Sequence, residues 1–303
     1  MKTLKTKSMR RPRSTQRPLF GTAVVLLLSL AILAVLALPG AATSGTVQRP
    51  VYQSPQSYYL ALGDSITYGF QPTKAKPGAP PSAFNTGFVD VFAARLRNLA
   101  AEIQVVNYGC PGESTKTFIA GGCSGRHDVK GLHDNFQGAQ LKAAVAFLRA
   151  HRGQVSPITL TLWGNDLGEI LDACKGKFAC VQARAPRAIS SGLTKILRQL
   201  RAAAPQATII VTGTWNPFGD FEQTDPLYRS IGTTIARVAK TAHAGFADTF
   251  PVFNPQGNLA REKARVCALT FACSKFKGDP HPTAGYRAIA AAVWAASGYP
   301  RKP

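Results

Sequence analysis

The chain has 303 residues, 45% of them hydrophobic, and carries 36 Lys and Arg against 15 Asp and Glu, a formal charge of +21. That apolar content suits one sizeable globular domain, and no internal repeat or low-complexity tract interrupts it. The charge favours attraction to anionic surfaces, but no helix-turn-helix, zinc-finger or RNP-type pattern accompanies it, so no nucleic-acid partner is indicated.

In chain order the first signal is an address. Residues 1–19 hold Lys2, Lys5, Lys7, Arg10, Arg11, Arg13 and Arg17, and no acid occurs before Asp64. Such a cluster stays cytoplasmic and directs the remainder of the chain outward. Phe20–Leu38 is a run of 19 residues without a charge, followed by Pro39-Gly40-Ala41-Ala42. Two readings stay open for residues 20–38. Small residues at Gly40 and Ala42 suit signal-peptide cleavage, whereas the run exceeds the ~7–15 residues of an ordinary signal-peptide core and nears the ~20 of a spanning helix. The balance tips slightly toward an uncleaved membrane anchor, and either reading places the later residues outside the cytoplasm. Residues 39–57, with Pro50 and Pro55, read as a tether, and 58–303 as the folded domain. Setting aside the seven N-terminal bases leaves 29 against 15 acids, so the domain stays basic.

Beyond the tether, short apolar runs alternate with longer amphipathic ones. Tyr58–Leu62, Ile103–Asn107, Ile158–Trp163, Thr208–Thr212 and Gly245–Thr249 read as strands, nearly continuous in apolar residues and so buried on both faces. Helical patterns cover Gln140–Arg152, Pro186–Ala203, Leu227–His243 and Ala284–Ala296. In the second of these, Ile189, Leu193, Ile196, Leu197 and Leu200 share one face, and Arg187, Lys195, Arg198 and Arg201 form an opposite, solvated stripe. Strand–helix alternation at this spacing implies an α/β domain with a parallel sheet between helix layers. The segments Gln71–Asn85 and Phe253–Gly278, rich in Pro and Gly, are expected to frame a substrate mouth.

Six cysteines fall as three close pairs: Cys110 and Cys123, Cys174 and Cys180, Cys267 and Cys273. In an oxidising compartment an even count in this pattern reads as disulfides, with local pairing the simplest of the formal possibilities. A metal site is not indicated: there is no CxxC, and His127, His133, His151 and His243 form no ligand-spaced cluster.

Four segments carry chemistry, three after strands and the last just before the final helix: Gly63-Asp64-Ser65-Ile66-Thr67-Tyr68-Gly69, Asn107-Tyr108-Gly109-Cys110-Pro111-Gly112-Glu113-Ser114, Gly164-Asn165-Asp166 and Asp279-Pro280-His281-Pro282-Thr283. Ligands of open parallel sheets bind outside the strands' carboxyl ends, so these segments are expected to converge. A serine hydroxyl needs a base to remove its proton, and imidazole suits that task. Ser65 stands where a helix should start, so its own N–H points into the site. Gly112, without a Cβ, can bring its N–H close, and Asn165 can offer a side-chain N–H, which gives three donors for a tetrahedral oxyanion. Each residue also has an ordinary reading: Ser65 as a helix cap, Asn165 as a turn cap, Gly112 as a loop glycine, His281 as a helix-start residue.

The four segments, in this order, resemble the four blocks of the SGNH, or GDSL, hydrolases, over roughly Tyr58 to Ser297. The resemblance implies a flavodoxin-like three-layer α/β/α fold around a five-stranded parallel sheet, with no cofactor or metal. It also implies Ser65 as nucleophile, His281 as base, and an oxyanion hole from Ser65, Gly112 and Asn165. The three cysteine pairs resemble those of secreted bacterial lipases and esterases in the family. The GxSxG elbow of the α/β-hydrolases is absent. One departure stands out: the family's acid usually lies three residues before the histidine, whereas Asp279 is two before His281. Asp279 is favoured as the orienting acid, with a dyad oriented by a main-chain carbonyl or water as the alternative and Asp248 as the nearest rival carboxylate. Asp64 reads as scaffolding for the nucleophile turn, Glu113 and Asp166 as supports of the oxyanion loops, and Trp163 as core. The expected activity is hydrolysis of small-molecule or lipid carboxylic esters. Polysaccharide deacetylation, or glycan and envelope binding by an inactive member, are the alternatives.

Overall fold

The computed structural model describes residues 49–123, 129–218, 221–276 and 279–300. The chain divides into two units, residues 1–46 and 47–303; the basic leader, the anchor or signal segment and most of the tether lie outside the described residues. Among the described residues no helix is long and apolar enough to cross a membrane.

In the second unit five strands, β1 (Tyr58–Gly63), β2 (Gln104–Asn107), β3 (Val155–Thr161), β4 (Ile209–Thr212) and β5 (Gly245–Ala247), alternate with helices. They form one sheet in the order β2-β1-β3-β4-β5 with every pairing parallel. All seven residues of β3 and all four of β4 are buried, as continuous apolar runs between two helix layers require. At the sheet edge β2 is partly open. The order is that of flavodoxin-like folds, whose connections reverse direction between β1 and β3 and leave a crevice at their carboxyl ends.

The helices are α1 (Ser65–Tyr68), α2 (Phe88–Leu96), α3 (Thr115–Ala120), α4 (Gln140–Ala150), α5 (Gly164–Ala173), α6 (Phe178–Ala203), α7 (Phe221–Thr241), α8 (Phe250–Phe253), α9 (Leu259–Leu269) and α10 (Gly285–Ser297). One layer pairs α2 with α10, and α4, α6 and α7 pack together in the other. Ile189, Leu193, Ile196, Leu197 and Leu200 of α6 are all fully buried, matching the apolar stripe of the sequence.

Two helices start earlier than their prolines imply. α6 begins at Phe178 and carries Pro186 inside, and α7 begins at Phe221 and carries Pro226. In α6 the extra turns bury Val181 and Ala185, and the Cys174–Cys180 disulfide pins the first turn, so packing outweighs the lost backbone bond. The segment Phe253–Gly278, expected as loop, contains α9, whose Val266 and Leu269 are buried. Of the expected basic stripe on α6, Arg187, Lys195 and Arg198 are exposed, but Arg201 turns inward. Its guanidinium donates to the carbonyls of Ala207 at 2.7 Å and His243 at 3.0 Å, among others, and so satisfies carbonyls left open where α6 and α7 end. Burial lowers its pKa from the ordinary arginine value.

Candidate active site

The turn that carries Ser65 grows out of β1. Gly63 takes φ +135°, a conformation suited to glycine, and a Cβ there would collide with the Thr161 carbonyl of β3. Asp64 caps α1, its Oδ1 accepting from Ile66 N at 2.9 Å, which leaves Ser65 as the first helical residue. Burial raises the Asp64 carboxyl to about 7, against the lowering pull of the Ile66 N–H, and the charges of Asp166 and Glu113 push the same way as burial.

Gln140, the first residue of α4, is fully buried below this turn. Its Oε1 accepts from Gly63 N at 2.7 Å, and its Nε2 donates to Gly63 O at 3.0 Å and to Glu113 Oε2 at 3.0 Å. One side chain therefore ties the Ser65 turn to the Gly112 loop. The sequence offers no signal for this beyond a polar residue opening an amphipathic helix.

The segment after β2 folds against α1: Cys110 N donates to Gly63 O at 2.9 Å, and Asn107 Nδ2 to Thr67 O at 3.1 Å. Gly112 sits at φ +79° between Cys110 and Cys123, which are joined as a disulfide. Asn165, in the first turn of α5, uses one amide N–H to hold the Glu113 carbonyl at 2.9 Å. Asp166 accepts from the backbone N–H of Thr115 at 3.0 Å and from its hydroxyl, so α5 and α3 are locked together. Burial raises the Asp166 pKa despite those bonds.

The structure brings His281 to Ser65: imidazole Nε2 lies 2.9 Å from the serine Oγ. On the other side, Nδ1 lies 2.8 Å from Asp279 Oδ1, and the same oxygen accepts the backbone N–H of His281 at 2.9 Å. This tight turn lets a carboxylate two residues upstream reach the ring. Half-burial pushes the Asp279 carboxyl upward, but the ring hydrogen bond, the histidine's charge and its backbone N–H together hold it below the usual value. An ionised carboxylate only accepts, so Nδ1 carries the proton and Nε2 presents its lone pair to the hydroxyl. Asp248, by contrast, is exposed and caps Phe250 N at 3.2 Å, away from the imidazole's partners.

The histidine segment has no strand of its own. Thr270 and Pro282 form an isolated antiparallel bridge, Phe271 N donates to His281 O at 3.0 Å, and Cys267–Cys273 closes the loop that carries both residues 270 and 271. Trp215 Nε1 donates to Pro280 O at 3.2 Å, and the Phe70 ring lies 4.7 Å from the imidazole. Neither Trp215 nor Phe70 was legible as a site residue; each follows a strand-end segment without a motif of its own.

Beside Ser65, Asn165 and His281 opens a cavity of about 370 Å³ whose walls come from α5, α6, α7 and the segment after β4. Trp163, Leu167, Phe178, Val181, Trp215 and Tyr228 make it largely apolar. Trp163, read from sequence as core, is 5% exposed and also lines this space. Among the described residues, those of 71–85 and 253–276 do not line it.

Among solved structures the chain resembles a lipase from a goat rumen metagenome, at 20% identity over 80% of this chain and 98% of that one with a TM-score of 0.54. An acetylxylan esterase from Geobacillus stearothermophilus matches at 19% identity, over 82% and 96%, with a TM-score of 0.53. An extracellular lipase from Streptomyces rimosus matches at 16%, over 78% and 99%, with a TM-score of 0.53. At these identities the likeness shows the shared α/β fold. A comparison with curated proteins found no match. The model of the GDSL-like lipase/acylhydrolase family covers residues 61–288, and with the sheet order this places the chain in that family.

Proposed function

We propose that the protein is an exported serine hydrolase that cleaves carboxylic esters through an acyl-enzyme on Ser65. The observation that carries this reading is the hydrogen-bonded row Ser65 Oγ, His281, Asp279, with separations of 2.9 and 2.8 Å. In acylation the Ser65 oxygen attacks the ester carbonyl carbon while its proton passes to His281 Nε2, and the carbonyl π pair moves onto oxygen. That oxyanion is held by the N–H groups of Ser65 and Gly112 and by the amide of Asn165. On collapse the C–O bond to the alcohol breaks, and His281 returns its proton to the departing oxygen. Water repeats the sequence and frees the acid. Asp279 orients the ring and stabilises the imidazolium.

Three disulfides support a place outside the cytoplasm, and the basic leader and apolar run of residues 1–38 supply the route. The polysaccharide-deacetylase reading has less support, because a mostly apolar wall offers few partners for sugar hydroxyls.

The test is Ser65→Ala in purified protein on p-nitrophenyl esters, with a fluorophosphonate probe on the wild type. Turnover is expected to fall by on the order of 10⁶ with folding unchanged, and the probe to label Ser65. A variant as fast as wild type would overturn Ser65 as the nucleophile, and a wild type that neither cleaves the esters nor takes the probe would favour a binding protein.

A further inference from the structure

Helix α5 presents Gly164, Asn165, Leu167, Gly168 and Leu171 to the cavity beside Ser65. Gly168 is an anomaly there. It is exposed in a helix interior, where glycine is the least favourable residue after proline. Several other glycines have local reasons: a Cβ on Gly63 would strike the Thr161 carbonyl, and one on Gly192 the Thr115 side chain, whereas Gly164, the first residue of the same helix, is as unhindered as Gly168. At Gly168 the backbone has no positive φ, and a Cβ would meet nothing within 4 Å. Neither backbone conformation nor packing calls for glycine. What the missing side chain leaves is open space on the wall of the cavity.

The chemistry says what passes there. The leaving alcohol must face His281 Nε2 to receive its proton. The carbonyl oxygen faces the N–H groups of Ser65, Gly112 and Asn165, so the acyl substituent takes the direction left at that carbon, and the apolar cavity beside Ser65 suits it. An apolar cavity of about 150 Å³ admits one benzene ring, so 370 Å³ admits a chain of up to about a dozen carbons. Resting on the hydrolase reading above, we infer that the cavity receives the acyl chain of the ester, takes chains of about six to twelve carbons, and is kept open for them at Gly168. Leu171 and Phe218, at 43% and 45% exposure, line the same cavity and give its mouth an apolar lip.

The experiment is a p-nitrophenyl ester series from acetate to laurate on wild type, Gly168→Ala and Gly168→Phe. Wild-type kcat/KM is expected to rise about two- to fourfold per methylene and to level off between roughly eight and twelve carbons. Gly168→Phe should lower kcat/KM for octanoate at least about tenfold more than for acetate, and Gly168→Ala should shift the profile the same way by less. Both variants should melt no lower than wild type, because either residue favours a helix over glycine. A wild type that prefers acetate, or the same chain-length profile in Gly168→Phe as in wild type, would overturn the inference. Wild type inert toward every ester and toward fluorophosphonate would sink the hydrolase reading instead.

Discussion

The nucleophile turn and the histidine loop meet across 2.9 Å, but the chain holds them by different means. Ser65 follows a central strand flanked on both sides, and Gln140 bonds both backbone groups of Gly63 beneath it. His281 lies on a connection between two helices. Its place depends on the Cys267–Cys273 disulfide, one isolated bridge, the Trp215 indole and the turn closed by Asp279. A residue at the end of a buried strand takes its position from the sheet. A residue on a connection needs local ties, and when they loosen the geometry is lost before the fold is.

Four measurements put this contrast at risk. The largest effect is expected at Asp279→Asn, which removes the ionised acceptor that fixes the imidazole's tautomer. Its kcat should fall by on the order of 10⁴ with little change in KM or melting temperature, read by steady-state kinetics on one ester. A fall below tenfold would show that another group orients the ring.

Next comes the pH dependence of stability on the nucleophile side. The Asp64 carboxyl is raised by burial from 3.8 to about 7, so the folded protein keeps a proton that the unfolded chain releases. Its contribution to stability is therefore full below pH 3.8, declines as pH rises toward 7, and is flat above. Asp64→Asn keeps an acceptor for Ile66 N and should flatten that slope by up to on the order of 4 kcal/mol between pH 4 and 8. Denaturant unfolding across that range checks it, and parallel slopes would refute it.

Gln140→Leu should cost about 3 kcal/mol of unfolding free energy, because it removes the acceptor of the buried Gly63 N–H and one donor to Glu113 Oε2. The smallest effect is expected at the double variant Cys267→Ser/Cys273→Ser, about 2 kcal/mol from the short loop it releases. The contrast predicts that the double variant loses proportionally more kcat than stability, and Gln140→Leu the reverse. Equal patterns in the two would erase the distinction.

The motif residues and the α/β alternation were legible because both are local. Ser65, Asn165 and Gly112 follow apolar runs short enough to read as strands, and the strand cores were found within a few residues of their ends. The early starts of α6 and α7 were hidden by Pro186 and Pro226, whose local preference is overridden by burial of the preceding turns. Arg201 reads as one more base on a solvated stripe. Only the nearness of Ala207 and His243 turns it into a cap for two helix ends.

Residue order alone was enough for the strand–helix alternation, the grouping of the cysteines as three close pairs, and the residue types able to supply a nucleophile, a base and amide donors. These depend on side-chain chemistry and short-range periodicity. Packing in three dimensions was needed to bring His281 to Ser65, to set Gln140 between the Ser65 turn and the Gly112 loop, and to open an apolar cavity beside Ser65. Each of these depends on angles and distances between segments far apart in the chain, which the sheet and helices set and no local pattern encodes.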